Sequence, residues 1–153
     1  MFETHVDALY LWVGLSAVSV AVLGVVAGLP MTAPPNATAT AATIDEVATS
    51  PPGSVEKRRL LADEWALEAG ALRLRNDGGT AQAGLTQYAV AADSERLRTV
   101  LDGTAPASVY DSPAAFRAAL DRARARNETW RPAPERLSIG HVAWGGVDVT
   151  LVG

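Results

Sequence analysis

The stretch from Ala8 to Leu29, ALYLWVGLSAVSVAVLGVVAGL, holds no charged residue and constrains this chain more than any other segment. As a helix rising ~1.5 Å per residue it extends roughly 33 Å, against about 30 Å of hydrocarbon in a bilayer. The expectation is a transmembrane helix over 8–29. It follows a short tip, 1–7, and precedes a Thr/Pro/Ala-rich linker, 30–43, and an α+β domain, 44–153. The tip MFETHVD has no lysine or arginine and so lacks the positive n-region of a signal peptide, which implies an uncleaved anchor. Tyr10 and Trp12 sit where amphipathic rings settle at a headgroup level. The first basic residues after the run are Lys57, Arg58 and Arg59, too distant for the positive-inside rule to set orientation. Asn36-Ala37-Thr38 and Asn127-Glu128-Thr129 match the N-glycosylation pattern, making Asn36 and Asn127 candidate acceptors. With the stalk-like linker, they favour a cell-membrane protein with its N-terminus cytoplasmic and its C-terminal domain extracellular.

One face of the expected helix is lined by small residues. Gly14, Ala17, Ala21, Gly24 and Gly28 follow one another at helical spacing, while Leu11, Leu15, Val18, Val22 and Val25 lie elsewhere. Small residues let helix backbones approach closely, so this seam is a candidate packing face. Glu3 and Asp7 continue the same rows toward the N-terminus. They serve either as an acidic cap favoured by the helix dipole or as a charge for a neighbouring subunit.

Beyond the linker, Thr43 can cap a short helix over Ile44–Thr49, which Pro51 ends. Val55 to Ala62 reads as a strand, with a helical reading open. Ala71-Leu72-Arg73-Leu74-Arg75 alternates cleanly, with Leu72 and Leu74 inward. Asn76-Asp77-Gly78-Gly79 is a reverse-turn signal, so Thr80 to Ala91 should return antiparallel. Glu95 to Leu101 is a short helix or strand. Ser112 as N-cap and Pro113 at the first turn open the clearest helix, to about Arg126, with Ala115, Phe116, Ala119, Leu120 and Ala123 as its apolar stripe. Leu137–Trp144, Gly145-Gly146 and Val147–Val152 form a closing hairpin. The expected fold is α+β, with four to five mostly antiparallel strands in one small sheet packed by one main helix.

The residues that carry chemistry are sparse. The chain of 153 residues has no cysteine, which removes disulfides, thiol nucleophiles and thiolate metal sites. Its formal charge of −4 gives no nucleic-acid footprint. No nucleophile elbow, phosphate loop or metalloprotease helix occurs, and the acidic residues form no pair set for general acid–base work. Only His141 lies outside the N-terminal region, and its alternation with Ile139 and Ala143 suits a core-edge position. Of the tryptophans, Trp65 and Trp144 are expected in the core and Trp130 against the end of the main helix. No catalytic residue, cofactor or metal is expected.

The order of parts resembles the pilin-like proteins of type IV pilus and type II secretion systems: an acidic tip, an N-terminal helix with a Gly/Ala face, a Thr/Pro linker and a β-rich domain. The stretches SPPGSVEKRRLLADEWAL, LRLRNDGGTA, DSPAAFRAALDRAR and WGGVDVTLVG, with the apolar run, resemble an uncharacterised family of haloarchaeal membrane proteins. The tip lacks the basic leader of a pilin, so the resemblance implies a minor, unprocessed subunit or an assembly partner. The function expected is a non-enzymatic structural or assembly component of a pulus- or secretion-type surface apparatus. Its partners would be the membrane and protein subunits, its own or others, and not nucleic acid. The alternative is a tethered module whose outer domain binds a protein or ligand.

Overall fold

The computed structural model describes residues 4–27, 32–68, 70–126 and 128–153, with side chains in the first stretch described from 10 to 21. The chain divides into two units, Met1–Thr32 and Ala33–Gly153. In the first, helix α1 spans Thr4–Ala27. The apolar run is helical, as its composition demands, but the helix begins ahead of it and takes in His5 and Asp7. Among the described residues no helix is long and apolar enough to cross a membrane. The expected transmembrane helix over 8–29 is therefore corrected. The single-pass placement, with the N-terminus cytoplasmic and the domain extracellular, is corrected with it.

The second unit is α+β, but with two four-stranded sheets where one small sheet was expected. Its strands are β1 (Val55–Arg59), β2 (Glu64–Glu68), β3 (Ala71–Asn76), β4 (Gly79–Gly84), β5 (Ala89–Ala91), β6 (Arg131–Pro132), β7 (Arg136–Trp144) and β8 (Val147–Val152). The first sheet has order β1-β7-β8-β5 and the second β4-β3-β2-β6. Every pairing is antiparallel except β5 with β8, where Val90 lies beside Leu151. The expected return strand from Thr80 to Ala91 is split between the sheets. Leu85 N still donates to Gly70 O at 2.7 Å, but the Asp45 carboxylate then accepts from Thr86 N and Gln87 N and turns the chain away.

Helices fill both faces of the first sheet. On one face lie α3 (Glu95–Leu101), α4 (Pro106–Val109) and α5 (Pro113–Arg124), whose Leu97, Val100, Phe116 and Leu120 pack with Val142, Val149 and Leu151. Ser112 caps α5 by accepting from Ala115 N, Pro113 occupies its first turn, and Phe116, Ala119, Leu120 and Ala123 are its buried stripe. On the other face α2 (Ala37–Ala48) meets strands of both sheets. Its Ile44 and Val47 join Trp65, Leu67, Leu72 and Leu74 of the second sheet and Leu137, Ile139 and Val152 of the first. This helix starts at Ala37, inside the stretch expected as linker. Pro34 and Pro35 precede its N-cap, Asn36, and its buried threonines satisfy themselves, Thr40 on Asn36 O and Thr43 on Ala39 O.

Candidate functional site

Exposed apolar surface is concentrated on α1. Every described position from Tyr10 to Ala21 is exposed, with Leu11 74% and Trp12 69% accessible. Monomeric proteins rarely leave large side chains of this kind in a continuous block, and such a block marks a contact surface. Gly14, Ala17 and Ala21 lie on this open helix, and a Cβ placed on Gly14 would meet nothing within 4 Å. Tyr10, Leu11, Gly14, Leu15 and Val18 line a shallow groove. Asp7 and Gly24 fall within the α1 backbone, but their surroundings, like Glu3 and Gly28 as a whole, lie outside the described residues.

In the second unit, the polar groups are mostly committed to structure. Asn36 is exposed, and its Oδ1 accepts from Ala39 N at 2.9 Å as the cap of α2. Asn127 lies outside the described residues. His141 is 6% exposed on β7. Its Nδ1 sits 2.5 Å from Ser50 O and its Nε2 2.9 Å from Asp148 Oδ1. Burial disfavours the charged ring, yet the Ser50 carbonyl and the Asp148 carboxylate outweigh it and hold the pKa above the ordinary histidine value. Both nitrogens face acceptors, so the ring joins the end of α2 to the closing hairpin and is not poised to exchange a proton with a substrate.

Trp65 lies in the core as expected, 3% exposed, whereas Trp144 is only partly buried and packs against the core, its ring 6.2 Å from that of Phe116. Trp130 instead lies under two guanidinium groups of β3, with Arg75 Cζ at 4.7 Å and Arg73 Cζ at 4.9 Å from its ring centre. Those arginines also pair with Glu64 and Glu68 of β2. The spacing Arg73-x-Arg75 on an alternating strand carried this face in the sequence, but its aromatic partner is far along the chain.

The clefts formed by described residues of this unit include three. One of about 250 Å³ runs between Gly53, Leu101 and His141. A second, of about 530 Å³, is lined by Trp65, Ala92, Asp93, Arg98, Arg131 and Pro134. A third, of about 120 Å³, lies between Tyr110 and Arg122. None joins a nucleophile to a base at bonding distance, and among the described residues no group of three or more His, Cys, Asp or Glu side chains could hold a metal ion.

The chain belongs to a family of unknown function, DUF7283, whose model matches residues 3–142. No curated protein and no solved structure matches it.

Proposed function

We propose that this family member is a non-enzymatic structural or assembly subunit of a pilus- or secretion-type apparatus, joined to further copies through α1. The observation that carries this reading is the exposed apolar surface of α1 from Tyr10 to Ala21. Its burial against like helices would be favoured at ~25 cal/mol per Å² of apolar area. The small residues Gly14, Ala17 and Ala21, continued in sequence by Gly24 and Gly28, would allow close backbone approach. Glu3 and Asp7, at the head of the same rows, would supply an intersubunit charge. The ordering of helix, connector and β-rich domain resembles pilin-like proteins, and the motifs resemble a haloarchaeal family. Both likenesses support the same reading.

The absence of cysteine makes the test clean. A single Ala21→Cys substitution, followed by oxidation of the protein in its native extract, should yield a disulfide-linked dimer of this chain, identified by mass spectrometry. Gly14→Ile with Ala17→Ile should suppress the crosslinked dimer while leaving the circular dichroism of the second unit unchanged. A reactive thiol at position 21 that gives no self-crosslink would overturn the reading.

A further inference from the structure

The two sheets end in edges of different character. In the first, β1 carries Glu56, Lys57, Arg58 and Arg59 in succession, and β5 is three residues long and buried. Charge and shortness are the usual guards against edge-to-edge pairing. In the second, β6 is two residues long and includes Pro132. The remaining edge, β4, has the sequence GTAQAG: it has no charge and no proline, and none of its six residues is buried.

Its free hydrogen-bonding groups can be assigned. Leu85 N donates to Gly70 O, and Asn76 stands opposite Gly79 across a two-residue turn. Residues of that parity direct their backbone groups at β3, so Thr80, Gln82 and Gly84 direct theirs outward. Ala81 and Ala83 pack inward against the core shared with α2. The outer edge is thus a row of unpaired donors and acceptors.

We infer that β4 is a self-pairing edge, at which a second copy of this chain adds its own β4 antiparallel about a two-fold axis through Gln82. In that register Gln82 faces its own equivalent, Thr80 faces Gly84, and Ala81 faces Ala83. Every outward group of the three residues then finds a partner, no like charges meet, and only small side chains flank the contact. Self-pairing of β1 would instead set Lys57 and its arginine neighbours against each other. A foreign peptide added to an edge draws its specificity from pockets for alternate side chains. None of the four clefts described above is lined by a β4 residue. A second copy therefore fits this edge better than an unrelated segment.

The test uses the full-length chain. Gln82→Cys should form a symmetric intermolecular disulfide under mild oxidation, because Cα atoms of a hydrogen-bonded antiparallel pair lie ~5.5 Å apart, within disulfide reach. Lys57→Cys, on the guarded edge, should not. Adding Gly84→Pro to Gln82→Cys removes one outward N–H and spares the β3 ladder. It should lower the crosslinked fraction about tenfold, since two backbone hydrogen bonds are lost per pair; Gly84→Ala, which keeps the N–H, should not. Leu15→Glu on α1 should leave the Gln82 crosslink intact, separating this contact from the one proposed for α1. In the unsubstituted chain, the amides of Thr80, Gln82 and Gly84 should exchange more slowly as protein concentration rises. Equal crosslinking at Lys57 and Gln82, or exchange at these amides that ignores concentration, would overturn the inference. Protection that appears only when another protein is added would also overturn the assignment to a second copy.

Discussion

Both ring nitrogens of His141 meet acceptors, and this sets a pH dependence with a definite sign. The folded pKa lies above the ordinary value of about 6.5. The ring therefore contributes stability that is fully present below pH ~6.5 and is lost as pH rises through the folded pKa. Asp148→Asn should lower the His141 pKa, read from the imidazole resonances. It should also lower the melting temperature more at pH 5.5 than at pH 9. An unchanged titration would show that the Asp148 contact does not form. The sequence placed His141 at the edge of the core through its alternation with Ile139, but its partners depend on hairpin register. Once Gly145-Gly146 sets Trp144 opposite Val147, His141 falls opposite Thr150, and Asp148 becomes its diagonal neighbour. That part was within reach of the sequence. The Ser50 carbonyl was not, because it arrives from the end of α2, ninety-one positions away.

Elements with strong local signals were legible, and those decided by distant partners were not. The N-cap Ser112 and Pro113 mark α5, and the Asn76-to-Gly79 turn marks the β3–β4 hairpin, because cap and turn chemistry act within a few residues. The start of α2 was missed because alanine–threonine repeats after two prolines look like a stalk. What makes them helical is burial between two sheets. Asn36→Ala, which removes the α2 cap, should cost about 1 kcal/mol in urea denaturation. The parallel partner of β5 was likewise hidden, since the Asp45 contact that bends the chain after β4 comes from an earlier helix. The closing hairpin shows how tightly such elements meet. Gly145 has φ +56, and a Cβ there would run into the Pro113 ring at the start of α5. Gly145→Ala should cost about 2–3 kcal/mol, since it adds a steric clash to an unfavoured backbone conformation. A smaller loss would mean the α5 start shifts freely.

At the scale of the whole molecule, the chain joins an exposed apolar helix to an α+β unit whose central sheet is covered on both faces. The sequence distinguished the two segments, but its reading of the first as a membrane span is overturned. The second unit has its own core and capped helices, so residues 33–153 expressed alone should unfold in one cooperative transition, with coincident fluorescence and circular dichroism curves. Non-coincident curves would indicate that its two sheets melt separately. The position of β8 has a consequence for the order of events in the cell. This strand lies between β7 and β5, and its Val149, Leu151 and Val152 contribute to the cores on both faces. Translation delivers the helices that cover the sheet before it delivers the strand that completes it. Until Val147–Val152 leave the ribosome, α2, α3 and α5 have only a partial surface to settle on. Closure of the unit therefore waits for its last strand, and contacts between neighbouring nascent chains would compete with it until then.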